Sequence, residues 1–206
     1  MKTKLIWVTP DAEKIVMYCA RVSNPKNQNS EDFRLIEYLV KNKHWSPLEM
    51  ASACFEIETT TRIAPQILRH KSFSFQQFSQ RYSEFQQFEE VKPRRQDLKN
   101  RQNSIDDLSE EIKNDFNIDL HNIQEYSRVA YNKAINSGIS KESAAFLLPG
   151  TTQTKLYMAG TLRSWIHYVD LRTGNGTQLE HMEIAQSIKN ELATQVPNIA
   201  KAVNWK

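Results

Sequence analysis

Residues Arg69-His70-Lys71-Ser72-Phe73-Ser74-Phe75-Gln76-Gln77-Phe78-Ser79-Gln80-Arg81-Tyr82 set cations, amides, hydroxyls and aromatic rings side by side. Guanidinium and hydroxyl groups bind phosphate, and aromatic faces stack on flat heterocycles. The plainer reading of Arg69-His70-Lys71 is a cationic close to a helix, where the dipole favours positive charge. Ser79 needs a neighbouring base to act as a nucleophile; none is evident, so it reads as a binding group. Arg172 stands just before the turn Thr173-Gly174-Asn175-Gly176. An arginine stays protonated and cannot serve as a base, but its guanidinium can stabilise negative charge that develops beside it. Its plainer reading is again a cation at a helix end. His181 beside Glu180 and Glu183 raises the question of metal ligation. The sequence offers no completing ligand set, so these three read as solvated residues of a helix face, and no metal is expected.

The elements that must position these groups follow from patterning. The 206 residues suffice for one domain with a sizeable core, so a single domain over 1–206 is expected. The 39% hydrophobic and 25% charged fractions are those of a globular chain. A net charge of +3 suits an anionic small substrate and is too weak for a duplex DNA groove. Cys19 and Cys54 lie among apolar neighbours without metal spacing, and two buried free thiols are expected. The apolar run Leu5 to Val8 is too short for a signal segment and no stretch approaches a membrane span, so the cytosol is the expected location.

Strands are expected at Leu5 to Val8, Ala51 to Thr59 (with Ala53, Phe55 and Ile57 on one face) and Thr151 to Met158. Helical spacing runs from Asp11, as N-cap, through Val22, and from Ser30, as cap, through Val40. It returns from Arg62 to His70 with Pro65 in the first turn, and from Leu108 to Asn136 with Gly138 as C-cap and a break near Asn117. Shorter helices are expected over Ser140 to Leu148, Leu162 to Leu171 and Gln178 to Leu192, with a terminal turn at Pro197. Residues 72–88 are too aromatic for a linker and too polar for a core, and read as lining a site; residues 89–107 read as an exposed connection. Two or three strands among longer helices give an α+β fold, a small mainly antiparallel sheet flanked by long helices.

The same residues carry a family resemblance. Arg69-His70-Lys71, seven residues and Ser79, then Arg81-Tyr82, resembles the Arg-His-Arg…Ser signature of the flavin-dependent thymidylate synthases. His44-Trp45-Ser46-Pro47-Leu48-Glu49 is similar to that family's His-x-Ser/Thr-Pro-x-Glu stretch, and Gln66 stands where it carries a glutamine. Leu147-Leu148-Pro149 and Arg163-Ser164…Leu171-Arg172 resemble its later blocks. The blocks stand in family order and cover about Ala20 to Ala185. Departures are Lys71 for the second signature arginine, which keeps charge and loses the planar fork, and Ala145 for an arginine. Thr161 and His167 stand for asparagines, and Lys141 or Lys155 is a candidate to replace the missing cation at Ala145.

The resemblance implies reductive methylation of dUMP to dTMP. FAD reduced by NADPH would supply hydride, which side chains cannot, and methylenetetrahydrofolate the carbon. The chain has no GxGxxG loop, so a Rossmann-type FAD site is excluded. The resemblance assigns Ser46, Arg69, His70, Lys71, Gln77, Thr161, Leu162, Arg163 and His167 to FAD. It assigns Gln66, Arg69, Gln77, Phe78, Ser79, Gln80, Arg81, the Ala145 position and Arg172 to the nucleotide. Arg172 is the catalytic candidate, against the uracil edge, and His44 and Glu49 belong to the folate and flavin side. It also implies a homotetramer. Two rival readings are an inactive or diverged relative, for example one that hydroxymethylates dUMP, and a single-stranded nucleic-acid platform built on Arg69 to Tyr82. The ordered blocks favour the enzyme, with neither a membrane nor a nucleic-acid polymer as partner.

Overall fold

The computed structural model describes residues 1–84 and 87–205. Along the chain run β1 (Lys2–Val8), α1 (Ala12–Ala20), α2 (Arg34–Lys41), β2 (Ser52–Thr60), α3 (Ala64–Ile67), β3 (Ser74–Gln77), β4 (Arg95–Gln96) and β5 (Ser104–Ile105). Then come α4 (Glu110–Asn136), α5 (Lys141–Ala144), β6 (Gln153–Thr161), α6 (Leu162–Arg172), α7 (Leu179–Gln195) and α8 (Pro197–Ala202). The main sheet has the order β1-β2-β6-β3, and all its pairs are antiparallel. This is the expected α+β arrangement around a small antiparallel sheet.

The register of β2 on β6 follows from period-two burial. Phe55 faces Met158 and Ile57 faces Leu156, all four fully buried, whereas Glu58 faces Lys155 and Glu56 faces Tyr157 on the outer side. A one-residue slip would turn the outer carboxylates into the core, which fixes the pairing. Helices α1, α6, α7 and α8 close the inner face through Val16, Met17, Trp165, Val169, Ile184, Ile188 and Ile199, which belong to one apolar cluster. Each such large side chain contributes about 1.5–3 kcal/mol by leaving water. Helix α4 is not part of that cluster. It packs near its C-terminal end, where Tyr131 and Ala134 meet Ala144.

Several expectations are corrected. The stretch from Arg62 to His70 is helical only over Ala64–Ile67. Asp11 has φ of 50° and forms no side-chain cap, and α2 starts at Arg34 rather than at Ser30. Asp32 there accepts from the Arg34 backbone N–H at 3.1 Å. Helix α4 is unbroken at Asn117. Ser109 caps it, accepting from the Ile112 N–H, and Gly138 ends it at φ of 80°. The bonds Ile139 N–H to Ala134 O and Gly138 N–H to Ile135 O close the end as a Schellman turn. Residues 89–107 are not a plain exposed connection: they hold the β4–β5 ribbon, and Arg94 is half-buried in an ion pair with Glu180. Pro197 begins a helix, α8, whose N-terminus Glu13 caps by accepting from the Ile199 N–H at 2.8 Å. Cys54 is buried but Cys19 is only half-buried; both are free thiols. No helix among the described residues is long and apolar enough to cross a membrane.

Candidate active site around helix α6

Strand β6 passes into α6 without a loop: Thr161 ends the strand and Leu162 begins the helix. Thr161 caps the helix, its hydroxyl accepting from the Ser164 N–H at 3.2 Å. Leu162, Trp165, Ile166, Tyr168 and Val169 are buried, and Trp165 Nε1 donates to the Ala53 carbonyl at 3.1 Å. The buried side leaves Arg163 and His167, one turn apart, on the exposed side.

Two other segments are gathered against this helix. The first is the short turn Ser46–Glu49, whose Glu49 carboxylate pairs with the Arg163 guanidinium. His44 precedes it, ring to ring with Tyr38 at 5.9 Å. The second is the stretch from His70 into β3. Ser164 Oγ donates to the Ser72 carbonyl at 3.3 Å, and Phe73 packs on Trp165 at 4.7 Å. Arg172 Nε donates to His70 Nε2 at 2.9 Å. Ser46, Glu49, Thr161, Leu162, Arg163, His70 and Arg172 thus belong to one continuous assembly, with His167 along its exposed side.

The basic triplet does not cap a helix. Helix α3 ends at Ile67, and Arg69-His70-Lys71 lies beyond it in the turn that leads to β3. The reading by helix dipole, which acts within the last turn, loses its basis. Arg69, Lys71 and His167 are exposed and make no ion pair or hydrogen bond among the described residues. They are cationic or potential donors with uncommitted side chains, as is the exposed hydroxyl of Ser46. Gln77 is exposed on the edge strand β3.

The nucleotide set splits into two groups. Arg172 lies with His70, while Gln66 Nε2 donates to Gln178 Oε1 at 2.7 Å just ahead of α7. The second group lies on α5: Arg81 Nε donates to Glu142 at 3.0 Å, and Lys141 reaches the Tyr82 carbonyl and Glu84. Phe78 extends the β3 ladder through its N–H to the Lys155 carbonyl, and Ser79 Oγ accepts from the Arg81 N–H at 3.3 Å. Gln80 is half-buried in the same turn, and Ala145 follows α5. Neither candidate replacement for the cation missing at Ala145 is free. Lys155 is held between Glu56 at 3.2 Å and Glu58 at 3.1 Å on the outer sheet face, and Lys141 is held as above.

The family described as "Thymidylate synthase complementing protein" matches residues 4–198. A protein of Paramecium bursaria Chlorella virus 1 named "Probable flavin-dependent thymidylate synthase" is 44% identical over 215 residues, covering 100% of both chains. The flavin-dependent thymidylate synthase of a Synechocystis species is 46% identical, over 94% of this chain and 90% of its own. The chain belongs to the flavin-dependent thymidylate synthase family. Among solved structures, the UMP/dUMP methylase PolB from Streptomyces cacaoi bound with 5-Br dUMP superposes with a TM-score of 0.87. It covers 98% of this chain and 94% of its own, and at 23% identity the likeness speaks for the fold.

Within this flavin-dependent thymidylate synthase fold the sequence reading of His181 is also corrected. His181 is not on a solvated face: it is 0% exposed, and its Nε2 lies 3.1 Å from the Tyr168 hydroxyl. Glu180 is half-buried, in its pair with Arg94, and Glu183 alone of the three is exposed, 3.5 Å from Lys92. His181 shares a stripe with Ile184, Ala185, Ile188 and Leu192, all buried. That helical spacing was readable in the sequence. Burial pushes His181 down to about 3, assisted by the charge of Arg172 and then by His70. Burial likewise pushes His70 down to about 4, ahead of the charges of Arg172 and His167, and pushes the Tyr168 phenol up. Among the described residues no group of three or more His, Cys, Asp or Glu side chains is placed to hold a metal ion.

Proposed function

We propose that this chain carries out the reductive methylation of dUMP to dTMP, with methylenetetrahydrofolate as carbon donor and NADPH as reductant of a bound FAD. The observation that carries the reading is the assembly on α6. It gathers three blocks far apart in sequence, Ser46–Glu49, His70–Ser72 and Arg163–Arg172, through contacts that span 92 to 114 residues. The flavin, when bound, supplies the hydride that no side chain can. Arg69, Lys71 and His167 hold its phosphates, with Ser46, Gln77 and the Thr161–Arg163 helix start completing that side.

Arg172 acts on the nucleotide. Its Nε is committed to His70, and its two Nη nitrogens make no hydrogen bond among the described residues. A guanidinium fork held in this way can meet the uracil edge, lower the cost of negative charge on the ring and make C5 more nucleophilic. Gln66, Ser79, Gln80 and Arg81, with Phe78 as a stacking face, bind the rest of the nucleotide, and His44 and Glu49 order the folate side.

The different partners of the two nucleotide-binding groups, Gln178 and His70 for one and α5 for the other, suit composite sites in a homotetramer, and the exposed apolar residues of α4 supply a surface for such an assembly. The two free thiols agree with work in the cytosol. The purified protein, given FAD, NADPH, methylenetetrahydrofolate and dUMP, is expected to form dTMP by chromatographic product analysis. Formation of 5-hydroxymethyl product, or of none, would replace this reading with the diverged relative.

A further inference from the structure

We infer that His70 is a positioning residue for Arg172, aiming the arginine's terminal nitrogens by accepting from its Nε, and that Tyr168, His181 and Phe73 form the box that keeps it there. The inference rests on the reading of Arg172 as the group that stabilises charge on the nucleotide.

An imidazole nitrogen that accepts a hydrogen bond carries no proton. The 2.9 Å bond from Arg172 Nε to His70 Nε2 therefore requires a neutral ring protonated on Nδ1. A protonated His70 would lose the acceptor and place a second cation against the guanidinium. Only the Nδ1 hydrogen then remains for a cofactor, so the residue has separate partners on its two nitrogens.

The ring is enclosed from three sides in edge-to-face geometry. Tyr168 lies at 4.9 Å and 79°, His181 at 6.1 Å and 85°, and Phe73 at 6.4 Å and 88°. Tyr168 and His181 are both 0% exposed and bonded to each other at 3.1 Å, so these walls cannot yield to solvent. Phe73 is held by Trp165 and by Gly160, where a Cβ would fall 2.5 Å from the Phe73 ring. Any side chain at 160 would force that wall to shift. The titratable and charged groups around His70 agree with a neutral ring. Arg172 and His167 face it from α6 and His181 from α7, while Arg69 and Lys71 flank it in its own segment. These surroundings and burial hold His70 down to about 4, so the acceptor persists through neutral pH.

The first test is direct and needs no turnover. Imidazole nitrogen-15 NMR of the histidine-labelled full chain should show His70 as the Nδ1-protonated tautomer from pH 6 to 8. In Arg172→Ala its Nε2 signal should move and its titration midpoint should rise. An Nε2-protonated His70, or a signal indifferent to Arg172→Ala, would overturn the inference whatever reaction the protein performs. The second test is kinetic. His70→Leu should lower kcat for dTMP formation by roughly 10- to 100-fold, the scale of a misplaced reacting group. His70→Gln, which keeps an acceptor near the Nε2 position, should recover most of that loss. Equal losses in the two variants would count against positioning. Loss of dTMP formation in the unaltered protein, with the NMR result as expected, would instead remove the proposed function and leave the arginine–histidine pair standing.

Discussion

Helices α6 and α4 lie in opposite circumstances. In α6 five of eleven residues are buried, and its two ends contact segments from the first half of the chain. In α4 three of twenty-seven are buried. Ile118 is 59% exposed and Tyr126 79%, with Ile112, Phe116, Ile123 and Val129 also open. Helix α4 is held by local devices: the Ser109 cap, the Gly138 turn and the pairs Lys113–Glu110 and Arg128–Glu125. Helix α6 is held by tertiary packing. Local signals are enough to make a helix, but only packing fixes a side chain to the precision that chemistry needs. A long helix with so much apolar surface in water is suited to meet another chain.

The comparison breaks most sharply at Arg172. Arg172→Ala should lower dTMP formation by roughly 100-fold or more, the scale of a deleted electrostatic stabiliser, and Arg172→Lys should restore only part because it lacks the fork. Near-normal turnover in steady-state assays of Arg172→Ala would remove the catalytic role. Flavin fluorescence titration on the same preparation separates lost chemistry from lost cofactor.

On α4 the expected effect is on association. Ile118→Lys with Tyr126→Glu should lower the sedimenting mass from an assembly toward a single chain, with helix content by circular dichroism unchanged and activity falling in step. An unaltered mass, or a wild-type protein that is monomeric and active, would dismiss α4 as an assembly surface.

A smaller effect concerns acid. His70 and His181 are held at about 4 and about 3, below their ordinary 6.5. Between those values and 6.5 the unfolded chain binds protons that the folded chain refuses. Stability is therefore whole above about pH 6.5 and falls as pH drops, each histidine adding a slope of at most about 1.4 kcal/mol per pH unit. Urea unfolding at pH 7, 6 and 5 should show the decline, and His181→Gln should flatten it. A level profile across that range contradicts the burial of these rings.

What could be read from the sequence divides along the same line. The alternation of Ala53, Phe55 and Ile57, the long helix ending at Gly138 and the helix ending in Arg172 were legible because period and turn chemistry are local. Arg62 to His70 misled because a helical pattern of apolar residues sits in what is mostly turn. The helix at Pro197 was missed because its capping acceptor, Glu13, lies far away in sequence. In the site, the triplet Arg69-His70-Lys71 and Arg172 were visible as motifs, but the bond between His70 and Arg172 joins residues 102 apart and no spacing rule reveals it. His181 was the reverse case, a local signal present in the stripe with Ile184 and Ile188 and outweighed by its acidic neighbours.

The junction of β6 and α6 has a mechanical meaning. With no loop between Thr161 and Leu162, and with the Leu162 N–H donating to the Ala51 carbonyl at 2.9 Å, the helix springs directly from the sheet. Arg172 stands at the far end of the helix, where it is bonded to His70, about 15 Å from the root at 1.5 Å per residue. A tilt of about 4° at the root would carry the guanidinium about 1 Å, enough to spoil a reacting geometry. Under the proposed role of Arg172, rigidity at the root becomes part of catalysis, and substitutions at Ala51, Thr161 or the first turn of α6 should act as substitutions in the active site would, from a distance.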